Sequence, residues 1–289
     1  MSAVIEAPPL DSAREPAPLR KPYKRWTRFI LPVFTGLMIL YLTFPVLLMI
    51  VYSFNDVPGE RQSPTFFGFT TKWYSPSVFL GDPGLADGIW NTIRIAPAAA
   101  LIATIIGTFI GLALGRYSFR GRSPVNFIIF LGIAVPEIVL GSSLLSLFVL
   151  FDKNISFLTP GFITILLSHI VFCIPFVAIT VRARVAGMDR SLENAAQDLF
   201  ATPMTAFFKV TLPIIFPGIV AGFLLAFVLS LDDFVITNFV SGSEPTFPTW
   251  VFGATRIGLP PTVNVLGTLL FVGGLLLASV NLLFSRKQT

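Results

Sequence analysis

Residues 189–213 read DRSLENAAQDLFATPMTAFFKVTLP, a polar island in a chain that is otherwise largely apolar. Wound as a helix, Leu192, Ala195, Ala196, Leu199 and Ala206 share one face. Ser191 is placed to cap the first turn, and Glu193 suits the positive end of the helix dipole. Pro203 is expected to bend or end that helix, which leaves Phe207 and Phe208 to a second short helical piece. Such a segment is either a helix lying on a bilayer surface or a surface held by another protein. The acids Asp189, Glu193 and Asp198 sit poorly beside anionic lipid and favour the protein partner.

Working outward, the 289 residues are 54% hydrophobic and only 12% charged, with a mean hydropathy of +0.81. A soluble domain carries about 25% charged residues, so the composition is that of an all-α integral membrane protein. The lone Cys173 and the lone His169 both fall in apolar runs. The cysteine reads as a small packed hydrophobe. The histidine is packed or faces a pore and is no metal ligand, since no second ligand is spaced near it. Residues 1–25 are rich in Pro, Ala and charge and read as a disordered tail, not a secretory signal. Residues 26–289 form the membrane domain, with the polar loop at about 185–212.

Six stretches are apolar enough to span, at about 20 residues each: roughly 29–54, 89–115, 124–151, 161–181, 213–240 and 263–284. An even number puts both termini on one side, and the basic residues choose it. Arg14, Arg20, Lys21, Lys24, Arg25, Arg28, Arg116, Arg120, Arg122, Arg182, Arg184, Arg190, Lys209, Arg286 and Lys287 fall on the side of the island. Arg61, Lys72, Lys153 and Arg256 fall opposite, and Arg94 lies just inside the second stretch. Both termini and the island are therefore expected in the cytoplasm. The charge of +5 reports topology and gives no reason to invoke nucleic acid. The long loop 55–88 is aromatic, with Phe66, Phe67, Phe69, Trp73, Tyr74 and Phe79. It is either an interfacial segment or a docking face and outer gate, in which case Trp73 borders the substrate path. Gly107, Gly111 and Gly115, spaced by four, allow another helix to come close.

Ionisable residues inside spans are costly and by default mark a pathway. Glu137, next to Pro136, and the pair Asp232 and Asp233 are the acids in spans. With Ser230 and Thr237 as neutral neighbours, they suit a cationic solute. Alternatively, one aspartate caps a helix break or pairs with Arg94. On a continuous helix the two aspartates point about 100° apart, so both cannot face one pore.

The island resembles the cytoplasmic loop of permease subunits of ATP-binding-cassette (ABC) importers. That family's loop reads Glu-Ala-Ala, three residues, Gly, nine residues, Ile-x-Leu-Pro. This chain has Asn194-Ala195-Ala196, three residues, Phe200, nine residues, then Val210-Thr211-Leu212-Pro213. The resemblance implies a type I importer permease fold. It also implies that Glu193, Asn194, Ala195, Ala196, Asp198, Phe200, Leu212 and Pro213 belong to a coupling helix docking on an ATPase subunit. Two positions depart: Asn194 cannot make the charged capping box that Glu would make with Ser191, and Phe200 is bulky where Gly permits close approach or a special φ.

From about residue 52 to 284 the chain is similar to the spermidine/putrescine branch. TTKWYS (70–75), RYSFRG (116–121), SHIVFCIPFV (168–177), SLDDFV (230–235) and FVSG (239–242) carry that similarity. Relatives for opines, other amines or metal chelates share parts of these phrases. The resemblance implies a bacterial inner-membrane subunit paired with a second, related permease and fed by an extracytoplasmic binding protein. The sequence holds no G-x-x-x-x-G-K-[ST] phosphate loop. Two separate ATPase subunits would thus use ATP and magnesium, and no cofactor is expected on this chain. The rival class, a stand-alone secondary transporter, needs no ATPase-docking loop.

Overall fold

A computed structural model describes residues 27–59, 61–79, 81–152 and 158–285. The expected tail at 1–25, Lys153, Arg286 and Lys287 lie outside the described residues. The helices are α1 Thr27–Tyr52, α2 Pro76–Phe79, α3 Pro83–Arg116, α4 Arg122–Ala134, α5 Glu137–Asp152, α6 Phe162–Ala186, α7 Ser191–Asp198, α8 Pro203–Ala206, α9 Leu212–Leu231, α10 Val235–Val240, α11 Phe247–Ile257 and α12 Thr262–Ser285. A π-turn, Phe207–Thr211, joins α8 to α9. No strand occurs among the described residues, which hold one isolated antiparallel bridge, Asn55 to Phe69.

Four helical stretches are long and apolar enough to cross a membrane: Phe29–Tyr52, Pro83–Arg116, Phe162–Ala186 and Pro203–Leu231. Two of the expected spans are interrupted. The stretch expected at 124–151 is a bent pair, α4 and α5, turned by 108° between Ala134 and Glu137. Pro136 cannot donate its backbone N–H, and the residue before it, Val135, is extended at φ −68° and ψ 128°. The stretch expected at 213–240 ends at Leu231, and the chain restarts as α10 after three non-helical residues. The last stretch is α12, whose shorter apolar part runs Thr262–Leu276. The described residues thus give four spans, or five with the bent pair taken as one.

The core lies where α3, α6 and α9 meet. Ile95, Ala103, Phe172, Val177, Val181 and Ile215 are buried there, with Cys173 among them as a small packed group. The glycine stripe fixes the closest contact. A Cβ on Gly107 would stand 2.7 Å from Val177 Cβ, one on Gly111 2.7 Å from the Ala178 carbonyl oxygen, and one on Gly115 2.9 Å from Val185 Cγ1. Small residues on α3 therefore let α6 lie against its backbone. By contrast α1 packs along α12 and leaves most of its apolar surface open, with Leu31 and Tyr41 both 73% exposed. An apolar face of that size suits lipid or another subunit.

Between α1 and α3 the described residues are centred on buried Asn55. Its amide donates to the Thr65 carbonyl (2.8 Å), its side-chain oxygen accepts from the Phe67 N–H (2.8 Å), and its carbonyl accepts from the Trp73 indole N–H (2.8 Å). Phe54 stacks between Phe69 and Tyr74 at centroid distances of 4.9 and 5.1 Å.

Candidate functional site

Two regions carry the chemistry read from the sequence: the paired helix breaks with their acids, and the loop that holds α7 and α8.

At the first region α5 begins with Glu137, directly after the Pro136 bend, and packs against α10. Gly141 lets Phe239 and the Ile236 backbone approach, since a Cβ there would stand 2.8 Å from the Phe239 ring. The two breaks are thereby neighbours. Glu137 and the pair Asp232 and Asp233 thus stand at neighbouring breaks.

Asp232 and Asp233 do not share a helix, so the expectation that they point about 100° apart on one does not apply. Asp232 is the C-terminal cap of α9, at φ −102° and ψ 1°, and its side chain is exposed. Among the described residues no side chain pairs with it. Asp233 is buried and occupied from several directions. It accepts from the Thr237 N–H (2.8 Å), the Thr237 hydroxyl (2.7 Å) and the Ile236 N–H (3.4 Å). His169 Nε2 lies 3.2 Å from the same carboxylate. Asp233 therefore caps the break, which is one of the alternatives left open by the sequence. Arg94 is not its partner; its guanidinium stacks on Trp90 at 4.5 Å.

His169 is the residue that reading along the chain undervalued. It is 1% exposed and bridges the break from α6. Nδ1 lies 2.7 Å from the Ser230 hydroxyl, and Nε2 lies 2.8 Å from the Thr237 hydroxyl. A neutral ring with its proton on Nε2 satisfies every member. Ser230 donates to Nδ1, Nε2–H donates towards Thr237 and Asp233, and Thr237 donates to Asp233. A closed buried network of this kind fixes local geometry. Ser230, expected beside the path, is itself buried within this network. The only advance signal was a polar ring in an apolar run, because its partners lie 61 and 68 residues away.

Trp73 stands apart from the acids. It is 8% exposed and lines a cavity of about 770 Å³ with Arg61, Asp82, Leu85 and Trp250. None of Glu137, Asp232 and Asp233 lines that cavity.

In the second region the expected amphipathic pattern is inverted. The buried residue of α7 is the charged one, Glu193 at 6% exposure, whereas Leu192 is 50% and Leu199 82% exposed. Glu193 turns inward to form an ion pair with Arg116 at the end of α3 and accepts from the Thr211 hydroxyl (3.1 Å). Asn194, Ala195 and Asp198 are exposed, Ala196 and Leu212 half-buried, and Pro213 exposed. Asp189, not Ser191, binds the start of α7, accepting from the Ser191 N–H at 2.9 Å. That hydrogen bond holds the Asp189 carboxyl below the usual carboxylate range. Ala206 does not continue the α7 face: it is buried in α8. There Thr202 caps the helix through the Thr205 N–H (3.2 Å), and Pro203 opens it, a position that needs no N–H.

The turn between α7 and α8 explains the glycine of the resembling pattern. The Phe200 N–H bonds to the Gln197 carbonyl (2.9 Å) and the Ala201 N–H to the Ala196 carbonyl (3.0 Å). This pair of bonds is a Schellman motif, whose residue after the cap adopts a left-handed conformation and is usually glycine. Phe200 occupies that position at φ 63°, the one non-glycine residue with positive φ among the described residues. Its ring is 97% exposed.

The comparisons with known proteins agree with this architecture. Residues 103–289 match the family described as binding-protein-dependent transport system inner membrane component. The chain is 40% identical over 233 residues to the putrescine transport system permease protein PotI of Escherichia coli K12, across 80% of this chain and 81% of that one. It is 38% identical over 250 residues to the spermidine/putrescine transport system permease protein PotC of the same strain, across 86% and 91%. Its fold matches a bacterial ABC transporter involved in import of the acidic polysaccharide alginate, with a TM-score of 0.63 at 18% identity, over 93% of this chain and 100% of that one. It also matches the inward-facing methionine ABC transporter MetNI, at 0.56 and 22% identity, over 70% and 93%. At such identities the structural likeness speaks for the fold alone. By the matched stretch and the identity to these permeases, the chain belongs to the inner-membrane components of binding-protein-dependent transport systems and is the permease subunit of an ABC importer.

Proposed function

We propose that this subunit carries polyamines, putrescine or spermidine, across a bacterial inner membrane by alternating access, driven by two separate ATPase subunits that use ATP and magnesium. The observation that carries the solute class is the Asp232 carboxylate, exposed at a helix break and without a side-chain partner among the described residues, with Glu137 at the neighbouring break. Unpaired acids inside an apolar bundle mark a pathway, and a cation is the solute that offsets their charge. The relatives' names, putrescine and spermidine/putrescine permeases, support the same class. In this reading Asp232 and Glu137 face the solute, Asp233 and Ser230 frame the break, and Trp73 borders an outer vestibule.

The remaining assembly follows the family. A second, related permease completes the path, and an extracytoplasmic binding protein delivers the solute. The chain has six spans with both termini in the cytoplasm. Arg116, Arg122, Arg182, Arg184 and Arg190 lie near the α7 end and support that orientation. The ATPase meets the exposed face of the α7–α8 loop, where Leu199, Phe200, Met204 and Phe208 are all more than half exposed.

The test is uptake of labelled putrescine and spermidine by the complete importer in proteoliposomes. Asp232→Asn is expected to raise the KM for both at least tenfold with ATP hydrolysis still supported. Unchanged uptake of both would remove the cationic path, and uptake without ATPase subunits would make the chain a secondary transporter.

A further inference from the structure

The buried pair between Glu193 and Arg116 is not explained by docking. In the resembling motif the acid comes first in Glu-Ala-Ala; here that position is Asn194, and the acid stands one residue earlier. That single step turns it from the outer face of α7 to the inner one. The side chains of Arg116 and Glu193 are only 18% and 9% exposed. The Thr211 hydroxyl holds the same carboxylate oxygen (3.1 Å), and the Arg190 guanidinium donates to the Arg116 carbonyl (2.9 Å). The loop is therefore tied to the last residue of α3 from two sides.

α3 is tied at its other end as well. The Asn91 amide donates to Glu244 Oε2 (3.1 Å) and to the Pro245 carbonyl (2.9 Å), and the Phe247 N–H donates to the Thr92 hydroxyl (2.9 Å). Glu244 and Pro245 lie in the link between α10 and α11 and Phe247 opens α11, one short helix beyond the break that holds Asp232 and Asp233; Thr246 of that link lines a small pocket together with Asp233. α3 is 34 residues long, and from Asn91 to Arg116 it covers about 38 Å at about 1.5 Å per residue. Its glycine stripe is pressed against α6, which leaves it little room to slide independently.

We propose that the Glu193–Arg116 pair is the joint through which displacement of the α7–α8 loop reaches α3, and that α3 delivers it to the α10–α11 link beside the acids. Glu193 and Arg116 are positioning residues, and the inference rests on the reading of that loop as the ATPase contact. Coupling of this kind requires a contiguous set of packed and hydrogen-bonded groups, and the contacts just described supply one.

The experiment measures putrescine transported per ATP hydrolysed by the complete importer in proteoliposomes, together with the ATPase subunit retained on purification. Glu193→Gln is expected to lower the ratio at least fivefold with the ATPase retained in full. The exchange Glu193→Arg with Arg116→Glu is expected to restore part of it. Asn91→Ala is expected to lower the ratio two- to threefold, and the double variant Glu193→Gln/Asn91→Ala to be no worse than Glu193→Gln alone, because both interrupt one route. An unchanged ratio in Glu193→Gln, or losses that multiply in the double variant, would overturn the proposal. Loss of the ATPase from Glu193→Gln would also overturn it, by making Glu193 a docking residue. Should Glu193→Gln not accumulate, Thr211→Val, which removes only the hydroxyl steadying the carboxylate, is read in the same way with an expected twofold drop. Failure of the loop reading itself shows separately: Phe200→Asp would then leave both ATPase attachment and the ratio untouched.

Discussion

The seam between α3 and α6 and the turn between α7 and α8 treat the same residue type in opposite ways. Along the seam, glycine stands at 107, 111 and 115, wherever a Cβ would meet the neighbouring helix at 2.7–2.9 Å. At the turn, the left-handed position that glycine fills most cheaply holds Phe200 instead. The seam is closed within the chain, so only its own stability decides the residues there. The turn carries a fully presented aromatic ring, 97% exposed, at a backbone cost of about 1–2 kcal/mol. A strained, exposed aromatic of this kind supports the proposal of a contact outside the chain. Internal packing obeys the local rules, and the departure from them falls on the face assigned to the partner.

The sharpest way to break this contrast is to crowd the seam. Gly111→Leu is expected to prevent stable folding, and Gly111→Ala to cost about 1–3 kcal/mol, read from thermal unfolding of the detergent-solubilised protein. A tolerated leucine would mean that α3 and α6 are not held this closely.

A second contrast lies between the adjacent acids. His169→Ala leaves the buried Asp233 network with a missing member and is expected to destabilise by about 2–3 kcal/mol. Asp232→Asn, on an exposed side chain, is expected to change stability by less than about 0.5 kcal/mol while damaging uptake. Equal thermal shifts for the two would erase the division between framing and solute-facing acids.

The smallest effect belongs to the turn. Phe200→Gly is expected to stabilise the α7–α8 loop by about 1 kcal/mol, seen as slower hydrogen exchange at the Ala201 amide. Faster exchange there would mean that the ring supports the turn instead of straining it.

How much of this was legible in the sequence depended on the range of the interaction. The apolar runs, the small-residue stripe and the polar island are local patterns, and the helices α1, α3, α6 and α12 lie where those patterns put them. The Glu-Ala-Ala spacing marked residue 200 as the usual glycine position, with close approach or a special φ as the alternatives, and the φ of 63° is the second of these. The break after Leu231 was legible only as an alternative, because a run that stays apolar on both sides of two aspartates also reads as one helix. What ends the helix is Asp233 capping α10, helped by a histidine from α6. Nothing in local periodicity announces a partner 60 or more residues away. The inversion of α7 was hidden for the same reason: Glu193 reads as a surface acid until Arg116 is placed beneath it.

The contact that matters most is the one proposed between the exposed face of the α7–α8 loop and an ATPase subunit. Its most direct test is the amount of ATPase subunit that co-purifies with the chain carrying Phe200→Asp. At least a tenfold loss of the ATPase is expected, with the thermal midpoint of the chain itself unchanged. Full retention of the ATPase by that variant would contradict it.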